Sequence, residues 1–339
     1  MINPVRNNFK FPVFALLILL IISVICAISI GSVSIATNEI YEMILCFSNS
    51  SCDIQSSNWQ IIWELRLPRA LMAMITGAGL ALSGTILQTI TRNPLADPYL
   101  LGISSGAALG AVVSMAISTL ILWLNLPITM GALAGAIFSL FLMLTLAGRH
   151  AFKVERLLLS GVAVSFMLSA FTSLILYYSA PDVSATLLFW MMGSFSHIQW
   201  QNLALPFVMV TLGLMIGLIY RNWIAAIQTG DDSALSLGVP VNSLRLSLLI
   251  ISAIITGTLV AQVGGIAFVG LMIPHIARMI VGSVFHKVFI SAFLLGSIFL
   301  IWVDIIARTV FENQVLPVGI VTAAIGSVFF FIILRNKNA

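Results

Sequence analysis

Charged side chains are scarce in this sequence. Of its 339 residues, 8% are Asp, Glu, Lys or Arg and 60% are hydrophobic. Soluble domains carry about 25% charged residues, and a soluble fold could not cover so much apolar surface with so few of them. The composition therefore excludes an ordinary soluble domain and makes lipid the natural solvent. The basic residues sit singly between apolar runs, which also excludes a nucleic-acid-binding surface.

Motifs for nucleotide binding and for catalysis are missing as well. No Gly-x-x-x-x-Gly-Lys-Ser/Thr stretch is present, so the chain cannot itself cradle the phosphates of ATP. No Ser-His-Asp, His-Glu-x-x-His or Cys-x-x-Cys arrangement appears either. A lone histidine such as His275 does not make a metal site. We therefore expect no enzyme, no resident cofactor and no metal centre.

Cysteine is rare, with three in the whole chain. Cys26 falls within an apolar run, where we expect it to pack against neighbours. Cys46 and Cys52 lie close together in a segment predicted to face the cell exterior. An oxidising compartment would allow a disulfide between them, and the sequence leaves open whether it forms.

Long apolar runs, in contrast, fill the chain. Backbone groups in lipid must pair internally, so spanning segments are helices or a closed barrel. The runs are continuous and about 20 residues long, which fits helices and not the alternating strands of about 10 residues that a barrel uses. The sequence predicts an all-α polytopic membrane protein with a single transmembrane domain over residues 1–339. The ten predicted spans are 12–32, 68–90, 100–122, 127–147, 157–178, 201–220, 246–264, 267–283, 288–307 and 317–334.

Two features of these spans need comment. The first run, Phe11–Ile30, follows Arg6 and Lys10 as a signal peptide would, but it is long for one, and we interpret it as a retained span. The third and eighth spans are rich in glycine, and we expect them to be short or broken.

The distribution of Lys and Arg predicts the orientation. With both termini in the cytoplasm, twelve of the fifteen basic residues face inside, and the reverse orientation would invert that bias. We therefore expect an inner-membrane protein with external loops at about 33–67 and 179–200, the second carrying a short helix across Ser184–Phe195. The longest cytoplasmic loop is about 221–245. Ser83–Gln88 resembles Thr256–Gln262 on a span of opposite direction, which predicts an inverted repeat.

Three groups of residues stand out by their chemistry. The segment from Gly230 to Pro240 begins with Asp231 and Asp232 and ends in Gly and Pro, which predicts a short capped helix in the cytoplasmic loop. On span five, hydroxyls at i, i+4 and i+7 share one face and either bond neighbouring helices or line a pathway; they are Ser165, Ser169 and Thr172. Three arginines run against the charge bias and either snorkel, pair with Asp304, or form a basic patch; they are Arg66, Arg69 and Arg308.

Several motifs resemble one known family. The chain contains Arg66-Leu67-Pro68-Arg69, Asn93-Pro94-Leu95-Ala96-Asp97-Pro98, Leu101–Ala107, Phe268–Arg278 and Leu316–Ala323 in that order. These stretches resemble the permeases of binding-protein-dependent ABC importers for iron-siderophores, haem and cobalamin. The resemblance covers nearly the whole chain.

The resemblance implies a type II importer permease of about ten spans with partner proteins. It implies a dimer, formed with a second copy or with a homologous permease, whose pathway lies at the dimer interface. Two cytoplasmic ATPase subunits binding ATP and Mg, and one periplasmic or lipid-anchored substrate-binding protein, would complete the machine.

The family's roles carry over to particular residues. The short cytoplasmic helix becomes the element that couples to the ATPase, through Asp231, Asp232, Ala234, Leu235, Ser236, Leu237 and Gly238. Arg66, Arg69 and Arg308 become the docking patch for acidic residues of the binding protein. Ser165, Ser169 and Thr172 become part of the pathway lining.

The substrate and two other mechanisms remain open. We favour a ferric siderophore, with haem and cobalamin as alternatives, because specificity is expected to reside in the binding protein. A secondary transporter driven by ions would need an intramembrane acid, for which Asp304 is the candidate. A membrane-embedded enzyme is disfavoured by the missing catalytic motifs.

Overall fold

The fold is known from a computed structural model. It describes residues 9–31, 57–120, 126–148, 153–311 and 314–336, and within these it contains helices and no strand. Cys46 and Cys52 lie outside the described residues, so their pairing stays a prediction. The main helices are α1 (Lys10–Ser29), α2 (Leu67–Thr91), α3 (Ile103–Leu120), α4 (Ile128–Ala147), α5 (Val154–Tyr178), α6 (Pro181–Met191), α7 (Ala204–Ile219), α8 (Arg221–Thr229), α9 (Asp231–Ser236), α10 (Val241–Val263), α11 (Val269–Val281), α12 (Phe285–Thr309) and α13 (Val318–Asn336).

Each of the ten predicted spans overlaps one of these helices. In the described part of the chain, seven helices are long and apolar enough to cross a bilayer by length and composition. Three shorter apolar helices, Ile103–Ser118, Val269–Val281 and Val318–Ile333, correspond to the remaining predicted spans. The all-helical class is confirmed, and the number of crossings stays a prediction.

Helix α2 lies at the centre of the bundle and is buried along almost its whole length. Its glycines allow other backbones to come very close. A Cβ on Gly77 would lie 2.0 Å from the carbonyl oxygen of Gly296 in α12, and a Cβ on Gly84 would lie 1.9 Å from that of Gly270 in α11. Small residues at such crossings are how helices associate in lipid, where no hydrophobic force drives them together.

The helical structure is interrupted after α2 and again after α10. Residues 92–97 come directly after α2 and Gly264–Phe268 come directly after α10, and α3 and α11 begin only at Ile103 and Val269. The two regions meet where the Tyr99 hydroxyl contacts the backbone N–H of Ile266. The parallel break after each helix agrees with the glycine-rich third and eighth spans. Buried backbone outside a helix needs partners of this kind, because lipid offers none.

Both predicted loop helices are present with altered bounds. The external one runs over Pro181–Met191 instead of Ser184–Phe195, because Pro181 occupies its first turn, where proline is favoured. In the loop predicted to be cytoplasmic, α9 is preceded by a second helix, α8, that the sequence patterns do not predict.

The close approach of α2 to α12 gives a first testable prediction. Replacing Gly77 by Ala places a methyl group against a backbone carbonyl that cannot move aside, so we expect destabilisation by about 1–3 kcal/mol. Gly257→Ala is the control, because a Cβ there would meet side chains at 3.0 and 3.4 Å and no backbone. Thermal unfolding in detergent measures the difference, and equal melting temperatures of the two variants would contradict the packing argument.

Candidate functional site

The loop of about residues 221–245, which the sequence predicts to be cytoplasmic, folds into a compact knob made of α8 and α9. Gly230 joins the two helices with a backbone φ of 133°, and Gly238 ends α9 with a φ of 78°. Residues with side chains rarely adopt these values, which explains a glycine at each end of so short a helix. The predicted short helix is therefore present with Asp231 and Asp232 in its first turn, but the expected acidic N-cap is wrong because Gly230 occupies that position.

Asp231 fixes the knob to the bundle. Its Oδ1 accepts a hydrogen bond from Nη2 of Arg245 at 2.8 Å and also contacts Nη2 of Arg92. Arg92 follows the last residue of α2, and Arg245 lies buried in α10. Hydrogen bonding by Arg245 holds the pKa of the Asp231 carboxyl below its usual range, with the charge of Arg92 acting in the same direction and partial burial acting against both. Because the pKa is lowered, these ion pairs are present at neutral pH and are lost only as the pH falls through the lowered value.

Two large apolar side chains lie on the exposed side of the knob. Leu235 and Leu237 are 57% and 72% exposed, whereas Ala234 is fully buried beneath them. The prediction that Ala234 contacts a partner directly therefore needs correction, since its methyl group packs inward. Asp232, Ser236 and Gly238 are exposed. Two leucines left in water on a short polar helix form a surface suited to a hydrophobic groove.

The arginines at the opposite end of the bundle point inward. Arg69 in α2 forms an ion pair with Asp304 in α12, with its Nε 2.9 and 3.0 Å from the two carboxylate oxygens. Arg308 lies one turn beyond Asp304, and its Nε is 3.6 Å from Oδ2. Asp304 is 1% exposed, so this carboxylate is neutralised within the protein. Such a pair does not provide the free intramembrane acid that an ion-driven transporter requires.

Two of these arginines bind the end of α1. Arg66 donates from Nη1 to the carbonyl oxygens of Ile28 and Ser29 at 2.8 and 3.0 Å. Arg308 donates from Nη2 to the carbonyl oxygen of Ala27 at 2.6 Å. The last carbonyls of a helix have no partner within it, and the helix dipole favours positive charge there. The placement favours an internal role for Arg66, Arg69 and Arg308, and docking of a binding protein stays a prediction.

The three hydroxyl side chains on α5 differ in their burial and in their hydrogen-bond partners. Thr172 is buried and donates to the carbonyl of Leu168, while Ser165 donates to that of Gly161. Ser169 is exposed, and its Oγ donates to Oγ of Ser105 in α3 at 3.2 Å. The contact between Ser169 and Ser105 matches the helix–helix interpretation, and lining of a pathway stays a prediction for all three residues.

A cavity of about 560 Å³ opens at the end of the bundle that the sequence predicts to face the cell exterior, beside α6 and the start of α13. Apolar rings and polar groups both line it, including Phe189, Trp190, Ser196, Asn202 and Gln262. Asn202 donates from Nδ2 to Oε1 of Gln262 at 3.2 Å, which holds two of the polar groups in place. Sequence patterns do not predict this cavity, because its walls come from four separate segments.

Several connecting residues are also not predicted from the sequence. Gln88 in α2 donates from Nε2 to the carbonyls of Gly270 and Leu271, each at 3.2 Å, and its Oε1 accepts from Arg278. From the sequence, Arg92 and Arg245 are predicted only to lie on the cytoplasmic side, and their partners are not predicted. Their isolated positions in an apolar sequence are the one available signal, since a lone buried charge needs a partner.

Comparison with known proteins identifies the family. The model of the FecCD transport family matches residues 19–336. The chain belongs to the FecCD transport family. The resemblance carried by the motifs is thereby confirmed.

Relatives within the FecCD family carry several transport names. The hemin transport system permease protein HmuU of Yersinia pestis is 35% identical over 326 residues, covering 95% of each chain. The vitamin B12 import system permease protein BtuC of Klebsiella pneumoniae is 37% identical and covers 82% of this chain and 83% of its own length. A solved inward-facing structure assigned to the metal-chelate type of ABC transporter is 30% identical, with a TM-score of 0.84 over 96% of this chain and 99% of that one. This FecCD protein is the permease of an ABC importer.

The buried ion pair between Arg69 and Asp304 gives the second prediction. Replacing Arg69 by Ala leaves Asp304 buried with only the more distant Arg308, which we expect to cost about 3 kcal/mol and lower the melting temperature by roughly 5 °C. Exposed Arg335→Gln is the control for loss of one charge. The double change Arg69→Met with Asp304→Leu is expected to recover part of the loss. Melting of Arg69→Ala at the temperature of Arg335→Gln would contradict the assignment.

Proposed function

We propose that this FecCD permease carries a ferric siderophore across the inner membrane, driven by ATP hydrolysis in two separate cytoplasmic subunits. The observation that carries the proposal is the exposed pair Leu235 and Leu237 on a helical knob fixed to the bundle. Such a knob provides a surface through which a separate ATPase subunit can move the helices of the bundle. The chain itself has no phosphate-binding loop, so a separate motor is required.

The permease works as a dimer with both termini in the cytoplasm. The positive-inside distribution of Lys and Arg supports this orientation, which places the knob on the ATPase side. A second copy, or a homologous permease, would enclose the pathway against α5. The mixed apolar and polar lining of the external cavity suits the entry of a bulky chelate without tight binding.

The substrate proposal rests on names and on lining chemistry. Relatives include a permease named for iron chelatin transport in Helicobacter pylori, 35% identical over 82% of this chain, beside those named for hemin and vitamin B12. No group of three or more His, Cys, Asp or Glu that could hold a metal occurs among the described residues. A lining of small hydroxyls and apolar groups passes a metal that remains inside its chelator. Haem and cobalamin are the alternatives within the same family.

Docking of the substrate-binding protein is assigned to the external face. Arg66, Arg69 and Arg308 gather there and exceed Asp304 by two positive charges. This excess would attract acidic side chains of a partner and guide its approach, even though the guanidinium groups are tied to internal acceptors. Weaker binding of the binding protein by purified Arg66→Gln, at an unchanged melting temperature, would support this role, and unchanged binding would contradict it.

The third prediction concerns the knob. Replacing Leu235 and Leu237 by Asp removes two apolar side chains from the contact with the ATPase, so we expect a loss of roughly 3 kcal/mol, above a hundredfold in affinity. Co-purification of the ATPase with the tagged permease measures it. Gln228→Asp, on the exposed side of α8, is the control for added charge. Undiminished co-purification of the double variant would rule out this surface as the contact.

The fourth prediction concerns the substrate. Proteoliposomes holding the permease, its ATPase and its binding protein should accumulate iron from a ferric siderophore about tenfold faster than they accumulate haem or cobalamin at equal concentration. Omission of ATP should stop the uptake. Faster accumulation of haem would transfer the assignment to the haem branch, and uptake without the ATPase would overturn the proposal as a whole.

A further inference from the structure

One carboxylate oxygen in the knob serves two arginines from different helices. Oδ1 of Asp231 contacts Nη2 of Arg92 and accepts from Nη2 of Arg245 at 2.8 Å. The Arg245 side chain is 7% exposed and that of Asp231 is 43% exposed, so the carboxylate points from the water-exposed knob into the bundle. We call Arg92, Asp231 and Arg245 the latch.

Each arginine of the latch also donates a hydrogen bond to a carbonyl near the end of a helix. Nε of Arg92 donates to the carbonyl of Ile227 in the last turn of α8 at 2.8 Å. Nε of Arg245 donates to the carbonyl of Ile90 in the last turn of α2 at 3.2 Å. The last turn of a helix leaves carbonyls without internal partners, as at Ile90, whereas the Ile227 carbonyl also accepts the backbone N–H of Gly230 at 3.4 Å. The latch thus joins the ends of α2 and α8 to α9 and α10 through three side chains.

The position of Asp231 differs from that of the residues facing outward. Its neighbour Asp232 is exposed and makes no hydrogen bond or ion pair with any other described residue. Leu235 and Leu237 present the apolar surface. Asp231 is instead occupied by internal partners, so a contact with another protein would compete with the latch.

We propose that Asp231 is a positioning residue that transmits movement of the knob to α2 and α10, and is not itself a contact for the ATPase. The inference rests on the proposed function, since only a machine driven by a separate motor needs this transmission. The two helices it holds are those next to the broken segments. Residues 92–97 follow α2 directly, and Gly264–Phe268 follow α10, so displacement of either helix is passed to the place where Tyr99 meets Ile266.

The test compares Asp231→Asn with Asp232→Asn in the complete transporter, reconstituted with its ATPase and binding protein. ATP hydrolysis and substrate uptake are measured on the same vesicles. For Asp231→Asn we expect normal co-purification of the ATPase and about tenfold less uptake per ATP hydrolysed, because one charge-assisted hydrogen bond shifts a conformational equilibrium by about that factor. For Asp232→Asn we expect an unchanged ratio of uptake to hydrolysis, whatever its effect on co-purification. Glu155→Gln, an exposed acid at the start of α5, controls for loss of a negative charge.

A second measurement uses the permease without its partners. A nitroxide label at residue 237 reports the mobility of the knob, which we expect to rise in Asp231→Asn and to stay unchanged in Asp232→Asn. Asp231→Glu keeps the carboxylate and should restore most of the coupling. If Asp231→Asn does not fold, Arg92→Ala, which removes the more exposed arm of the latch, is expected to show the same loss of uptake per ATP.

The outcomes separate the two proposals. A wild-type transporter without ATP-dependent uptake would overturn the proposed function, whatever the label shows. Normal uptake per ATP and normal label mobility in Asp231→Asn would overturn the latch alone. Equal failure of Asp231→Glu and Asp231→Asn in both measurements would also overturn it, because the carboxylate would then not be the operative group.

Discussion

Contact between backbones around α2 is the constraint on which the rest of the bundle depends. In lipid, helices gain little from burying apolar side chains, so they associate through close packing. Gly77 and Gly84 let α12 and α11 approach α2 at the distance of backbone atoms. This places α2 at the centre and fixes the neighbours that carry Asp304 and Arg278. The polar contacts of α2 with these two residues are possible only because the neighbouring helices are so near.

Arginine performs one task repeatedly in this protein. Arg66 and Arg308 bind carbonyls in the last turn of α1, Arg92 binds one in the last turn of α8, and Arg245 binds one in the last turn of α2. Each guanidinium supplies several donors in a fixed plane, so it can serve a carbonyl and a carboxylate together. Four arginines are therefore used at helix ends, and the same side chains also connect helices to one another.

The sequence predicts the helices better than their contacts. Long apolar runs locate all ten apolar segments, and glycine and proline mark the breaks before Ile103 and Val269. The capped helix at Asp231 is predicted because Asp, Gly and Pro have strong positional preferences. Local sequence rules cannot show that the Asp231 side chain points into the bundle, because its partner Arg245 lies on another helix. The same limit applies to Arg69, whose partner Asp304 is distant in the chain. Ala234 stands among residues that are exposed, so the sequence suggests that it is exposed as well. Its side chain instead lies on the buried side of the helix.

The separation of Leu235 and Leu237 from Asp231 has a consequence for how such machines diversify. In the proposed function, the surface that contacts the ATPase and the linkage that transmits its movement reside in different side chains of one short segment. Substitutions at the two leucines would therefore change which ATPase binds while the ion pairs of the latch stay intact. A permease built in this way would acquire a different ATPase partner through a few surface substitutions.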